Sequence, residues 1–336
     1  MKKDKYKFIR NSLIFFVIFL ITATSYFLVC SFYAEIPLKV GVQWIKPFFD
    51  RKIELGNNVS EPKLILLGGS SVDFSLSATK MEKELGIPTI NFGSTASLSE
   101  YIFHVVKKIA KEGDTIFIPL EYHYYYCQRK GFFEPVTLRE RYILYYDKEY
   151  YNSLPLYDRL AAKFSGFRDL IRMMDESNWE YSEFEDIPES LTINGDEKNT
   201  QPALKPSKVK EIDWPIEFYS SFESDFESGY CAQEVSSFID WCKENNIRVI
   251  ASYPSLYDFN GAYYHDRYPK IFKLIEEFYN KQNIQVVGTP YDFLYPYEDF
   301  FNTGYHLHSD ARETHTDKVI ELLREPLRDM TEGALE

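Results

Sequence analysis

An α/β fold built on a parallel sheet is predicted by three features of the chain. Short apolar runs stop at turn residues, amphipathic stretches of helical period separate them, and the spacing leaves room for crossover helices between consecutive runs. The 336 residues, 45% of them hydrophobic, suffice for one large domain plus an appendage.

The appendage comes first. Lys2, Lys3, Lys5, Lys7 and Arg10 precede an uncharged run over 11–34, whose centre at 13–21 is strongly apolar. About 20 such residues span a bilayer core, so the run predicts a transmembrane anchor. Positive charge on its N-terminal side puts that end in the cytoplasm and the bulk of the chain outside. A cleaved signal peptide is the competing reading, but it calls for a shorter apolar region and a small-x-small site. Leu28-Val29-Cys30 places bulky Val29 where a lipoprotein signal needs a small residue. Residues 1–34 are thus a cytoplasmic stub and anchor, 35–61 a connector with some helix, 62–327 the α/β domain, and 328–336 a frayed polar tail.

Within the domain, strand one is 63–67, apolar on both faces as a parallel-sheet strand must be. It stops at Gly68 and Gly69, which permit a sharp turn where a Cβ would clash. Ser70 and Ser71 follow, and Ser77 is placed to cap a helix over 78–85. Strand two is 88–92, ending at Gly93. Ser97 or Ser99 then caps a helix with Tyr101, Val105, Val106 and Ile109 at helical spacing. Strand three is 114–120. An insertion over about 128–228 departs from this rhythm, with helical pieces at 139–151 and 157–174 and an acidic tract at 175–213. The tract reads as an exposed lid, a partner surface or a plain loop. The rhythm resumes with a helix at 231–244, strand four at 247–253, a helix at 269–280, strand five at 284–287 and a closing helix at 310–324.

Right-handed crossovers leave few orders for five such strands. The expected one is 2-1-3-4-5, a flavodoxin-like three-layer arrangement. Ligands of such sheets bind at the carboxyl ends of the strands, near the switch point beside strand one. Topology therefore collects Ser70, Gly93 and the segments after Leu120, Tyr253 and Val287 along one edge.

Charge and cysteines narrow the function. The formal net charge is −13, and no basic block follows the N-terminus, which disfavours nucleic acid as a partner. The four cysteines show no paired metal spacing. Cys231 and Cys242 share one predicted helix and stand too far apart along it to bridge, and Cys30 falls in the apolar run, so no disulfide framework is expected. No Gly-x-Gly-x-x-Gly follows a strand, and no cofactor is called for. His306-x-His308 with Asp310 has metal-ligand chemistry, but no helical His-Glu-x-x-His or cysteine pair supports it, and no metal is expected. The run Tyr122-His123-Tyr124-Tyr125-Tyr126 has two readings, stacking on a sugar ring or packing under the insertion.

A serine nucleophile needs a base in reach, an orienting acid behind it and N–H donors for the oxyanion. Of the six histidines, His306 and His308 lie in the loop before the last helix, from which a side chain can return to strand one. His123 follows strand three, His104 lies inside a helix, and His265 and His315 look peripheral.

Three blocks, Leu67-Gly68-Gly69-Ser70-Ser71, Asn91-Phe92-Gly93 and Asn302-Thr303-Gly304-Tyr305-His306-Leu307, resemble those of the SGNH (GDSL-like) hydrolase superfamily. The similarity is to its membrane-anchored, extracytoplasmic branch, associated with acylation of cell-envelope polymers. It covers roughly 62–126 and 247–324. It implies Ser70 as nucleophile, or Ser71 in the alternative register, with His306 as general base. The N–H groups of Ser71 and Gly93 would form the oxyanion hole. The sequence departs from the family pattern at three places. Gly69 stands for the usual Asp. Leu120-Glu121 stands where the Asn block is expected, removing a side-chain oxyanion donor of a kind worth about 10²–10³ in rate. Asn302 stands where an Asp should orient the histidine, a change that costs a serine protease about 10⁴. Asp299 or Glu121 could take that role instead.

The resemblance implies a membrane-anchored serine esterase or O-acyltransferase acting on acyl esters of envelope glycans, with a membrane acyltransferase as a possible partner. The alternative is a catalytically weak accessory on the same fold that binds an envelope polysaccharide or such an acyltransferase.

Overall fold

A computed structural model of the chain describes residues 2–34, 42, 44–95, 98–125, 137–163, 190–198, 226, 229–258 and 267–332. The chain divides into two compact units, residues 1–46 with 130–184, and residues 47–129 with 185–336.

The first unit holds helix α1 (Lys2–Ala34), α6 (Leu138–Tyr146) and α7 (Lys148–Ser153). Within α1, the 25 residues Lys5–Val29 have a mean hydropathy of 2.3 and are long and apolar enough to cross a membrane. Leu13, Phe15, Ile18 and Leu28 are all exposed, so the helix shows apolar surface around its circumference. A capping box between Thr137 and Glu140 starts α6. Asp147 caps α7 by accepting the Tyr150 N–H, which breaks the helix expected over 139–151 in two. The remainder of the second expected piece, 164–174, lies outside the described residues, as does most of the acidic tract.

The second unit is built on a five-stranded parallel sheet of order β2-β1-β3-β4-β6. The strands are β1 (Leu64–Gly68), β2 (Thr89–Gly93), β3 (Thr115–Ile118), β4 (Arg248–Ala251) and β6 (Gln285–Val286). The five segments expected as strands lie in the expected order. The last is sixth in the chain because β5 (Leu256–Tyr257) intervenes and pairs with β7 (Leu294–Tyr295) in a separate two-stranded sheet. Every residue of β1 is buried, as its unbroken apolar run demands. Register is set by pairs such as Leu64 with Thr89 on one side and Thr115 on the other. At the amino end of β1, buried Lys63 pairs with buried Asp114 at 2.8 Å. Asp114 also accepts the backbone N–H groups of Lys63 and Lys111. A buried ion pair survives only when its remaining valences are met in this way.

Helices α3 (Ser70–Ser75), α4 (Ala78–Leu85), α5 (Ser99–Val106), α8 (Tyr230–Glu244), α9 (Arg267–Lys281), α10 (Ser309–Arg324) and α11 (Arg328–Glu332) follow in chain order. Ser77 caps α4 as expected, accepting the Lys80 N–H, and Gly86 closes it in the left-handed region at φ 70°. Ser97 lies outside the described residues, and α5 has no side-chain cap.

Further expectations are corrected. The segment read as a connector contains α2 (Ile45–Asn57), which is built into the second unit from Pro47 on: Phe49 packs on Phe92 and Tyr101. The tail is not frayed at its start, since Arg248 binds Asp329 at 3.0 Å and holds α11 to β4. Residues 190–198 of the acidic tract are not a solvated loop: Asp196 is 1% exposed. Its carboxylate accepts the Ala78 and Thr79 N–H groups and the Thr79 hydroxyl at 2.7–2.9 Å. Asn194 pairs with β2, its C=O accepting the Asn91 N–H and its side chain donating to the Thr89 C=O. Finally, Cys231 is disulfide-bonded, and Cys242 is a buried free thiol. A bridge between different elements leaves no trace in local spacing.

His315, on α10, is buried rather than peripheral. Its Nδ1 lies 2.8 Å from the Tyr295 hydroxyl, and the rings of Phe293 and Tyr295 flank it. Desolvation, with a smaller push from Lys318, lowers its pKa from 6.5 to about 3. The unfolded chain therefore takes up a proton below pH 6.5 that the folded chain refuses until about pH 3, so stability falls as pH drops through that window. In thermal unfolding of the detergent-solubilised chain, the loss of Tm between pH 7.5 and 4.5 is expected to be smaller in His315→Gln than in the wild type. Equal losses would refute the assignment.

Candidate active site at the carboxyl edge of the sheet

β1 passes into α3 through Gly68 and Gly69. A Cβ on Gly68 would lie 2.5 Å from Val72 Cγ2, and one on Gly69 would lie 2.4 Å from Glu121 Oε1. Gly69 has φ −83°, an ordinary value, so close approach rather than backbone conformation demands glycine there. Ser70 opens α3 and is half-buried, whereas Ser71 is 3% exposed with its hydroxyl enclosed. Of the two registers left open by the sequence, Ser70 is the serine that reaches solvent. Neither its hydroxyl nor its N–H makes a hydrogen bond among the described residues.

The two N–H groups expected to form an oxyanion hole are both engaged. Ser71 N–H donates to Glu121 Oε1 at 2.9 Å, and Gly69 N–H donates to Oε2 of the same carboxylate at 3.0 Å. Gly93 N–H donates to Asn91 Oδ1 at 2.9 Å. Glu121 itself is fully buried. Gly93 also marks where β2 meets α3, since a Cβ there would lie 2.3 Å from Asp73 N. The Gly93 C=O accepts a 2.6 Å hydrogen bond from Lys52, whose ammonium pairs with Asp73 at 2.7 Å. Burial raises the Asp73 pKa, with Lys52 pulling it back.

The histidine loop is tied to the same helix. Ser75 donates its hydroxyl to the Tyr305 C=O at 2.8 Å and accepts the Leu307 N–H at 3.1 Å. The His306 ring packs on Phe74 with centroids 4.5 Å apart, and on Phe301 at 5.4 Å. Phe74 and Ser70 stand one turn apart on α3 and are thus surface neighbours. The imidazole thus rests on a side chain one helical turn along α3 from Ser70, and no hydrogen bond joins Ser70 to His306. His306 Nδ1 lies 2.6 Å from Asn302 Oδ1. With an acceptor oxygen facing it, Nδ1 carries the proton and Nε2 the lone pair. The flanking phenylalanines desolvate the ring more than its partial exposure alone suggests, and its pKa falls from 6.5 to about 3. His306 is neutral at physiological pH.

Asp299 serves a different histidine. Its C=O accepts the His308 N–H at 2.8 Å, and its carboxylate lies 4.0 Å from His308 Nε2. Desolvation raises the Asp299 pKa while His308 opposes the shift. His308 Nδ1 accepts the Asp310 N–H at the start of α10, so that lone pair is spent on a helix cap rather than offered to a metal. Glu121, the other candidate orienter, turns to Gly69 and Ser71. Asn302 alone among the candidates backs His306.

The tyrosine run packs inward. Tyr122, Tyr124 and Tyr125 are 1–2% exposed and meet Phe272, Phe103 and Tyr279 respectively. Tyr126 lies outside the described residues. The Lys52–Asp73 pair escaped the sequence reading, as did the partners of Glu121 and Asn91. A carboxylate directly after a wholly apolar strand was the available signal for Glu121, because a charge at that depth must find donors.

Compared with known proteins, the chain matches no family model and no curated protein sequence.

Asn302→Asp would place a carboxylate behind the imidazole and favour its charged form. The His306 pKa is expected to rise from about 3 toward the neutral range, read by NMR titration of its ring protons. An unchanged value would show that Asn302 does not face the ring in solution.

Proposed function

We propose that the chain is a membrane-anchored, SGNH-like serine esterase or O-acyltransferase acting on acyl esters of cell-envelope glycans, on a flavodoxin-like three-layer domain. One observation carries the reading: the loop bearing His306 is tied to α3, and its imidazole rests on Phe74, one turn from the half-buried Ser70. The Asn302 contact holds the tautomer that a base needs.

In this reading Ser70 Oγ attacks the ester carbonyl and its proton passes to His306 Nε2. The Ser70 N–H, which no residue of the described structure claims, faces the developing oxyanion. The alcohol leaves with the proton from His306, and an acyl-serine remains. Water or a glycan hydroxyl then gives its proton to Nε2 and takes the acyl group, and Nε2 returns the proton to Ser70 Oγ as the acyl-serine bond breaks. The helix Lys5–Val29 anchors the chain with the N-terminus in the cytoplasm. The disulfide at Cys231 supports an oxidising compartment for the α/β domain. A membrane acyltransferase is the natural acyl source for an anchored transferase.

A second reading is a binding accessory on the same fold. Two observations favour it: Ser71 and Gly93 have their N–H groups bonded within the chain, and an amide rather than a carboxylate backs His306.

The test is hydrolysis of p-nitrophenyl acetate by the full chain in detergent, beside Ser70→Ala and His306→Ala. Loss of about 10³-fold or more in kcat in both, with unchanged thermal unfolding, is the expected result. Turnover in the wild type no faster than in the two variants would leave the accessory reading in its place.

A further inference from the structure

We infer that Glu121 is a positioning residue for Ser70, supplying from the end of β3 the helix cap that position 69 lacks. Gly69 is the N-cap of α3, and it has no side chain to accept the free N–H groups of the first turn. Glu121 meets that need from another element. Its carboxylate accepts the Gly69 and Ser71 N–H groups at 3.0 and 2.9 Å, bracketing Ser70 on both sides. The space it occupies is the space a side chain at 69 would use, since a Cβ there would lie 2.4 and 2.6 Å from its two oxygens.

Gly69 and Glu121 are therefore one unit. A side chain at 69 excludes the carboxylate of 121, and removal of that carboxylate leaves the first turn of α3 uncapped. Holding Ser71 N–H also withdraws it from any oxyanion role and leaves the Ser70 N–H as the open donor of the turn. Gly69 has φ −83°, outside the left-handed region that favours glycine, so its φ does not forbid the opposite arrangement, with the acid at 69. An aspartate at an N-cap accepts the N–H of the second or third helical residue, here Ser71 or Val72.

The role of Glu121 toward Ser70 rests on the esterase reading, and its capping role does not. The test is a double-mutant cycle in the full detergent-solubilised chain: Glu121→Ala, Gly69→Asp, and the two together. Each single change is expected to lower Tm, by roughly 2–6 °C for Glu121→Ala and by more for Gly69→Asp, where two carboxylates meet. The double variant is expected to recover at least half of the Glu121→Ala loss. Should Glu121→Ala fail to fold, folding of the double variant alone decides. Wild-type stability in Glu121→Ala, or no recovery in the double variant, would overturn the inference.

For Ser70, p-nitrophenyl acetate turnover is expected to fall about 10-fold to 100-fold in kcat in Glu121→Ala, with KM little changed, and to recover in the double variant. Recovery of Tm without recovery of kcat would leave Glu121 a structural cap and overturn its positioning role. Absence of Ser70-dependent turnover in the wild type would defeat the esterase reading instead, while the thermal cycle would still decide the cap.

Discussion

The carboxyl edge of this sheet depends on how closely three backbones approach one another. Where β1 gives way to α3, the first turn of the helix lies against the end of β2 and the residue that follows β3. A Cβ at 68, 69 or 93 would fall within 2.5 Å of a neighbouring atom: a Val72 methyl at 68, the Glu121 carboxylate at 69 and the Asp73 backbone at 93. At such proximity most buried polar groups of the junction find their partners within the chain. Glu121 answers the start of α3, Asn91 answers Gly93, and Lys52 answers the Gly93 carbonyl together with Asp73. The serine is held out of this set, and its freedom is what makes it stand out chemically.

The same tightness explains how much was legible in the sequence. The parallel strands were readable because Leu64 to Leu67 are buried on both faces and their apolar run has no polar interruption. The Ser77 cap and the helices of the closing half were readable because period and capping chemistry are local. α3 was not: six residues holding three serines and an aspartate carry no helical signature, and the helix exists because its partners were brought to it. β5 and β7, two residues each, are too short for any periodicity to register. At the site, Ser70, His306 and Asn302 stood out through motif and spacing. The occupants of the surrounding N–H groups did not, since which carboxylate reaches which amide is decided by tertiary approach. Asp299 illustrates the limit: its nearness to His306 in sequence suggested one partner, and the turn before α10 delivers it to His308 instead.

Charge burial is the recurring means by which distant segments are held. Lys63 and Asp114 close the amino end of β1 and the approach to β3, Lys52 and Asp73 join α2 to α3, and Asp196 joins the tract at 190–198 to α4. Each carries hydrogen bonds beyond the ion pair or cap itself. Truncating one member of such a set strands the others in a low-dielectric interior, which is why a buried pair contributes more to the choice of a single arrangement than to net stability. The imidazoles follow the opposite rule. His306 and His315 are surrounded by rings rather than carboxylates and stay neutral.

The pairing of Asn194 with β2 has a consequence for life outside the folded domain. β2 is the outermost strand of the sheet, and all five of its residues are buried. An uncovered strand of that kind presents a ladder of donors and acceptors on which a second molecule can add its own strand, the first step toward aggregation. The segment at 190–198 closes that ladder with its own C=O and amide at Asn194, held by Asp196. A stretch whose composition suggests only solubility thus guards the outer edge of the sheet against a second copy of the chain.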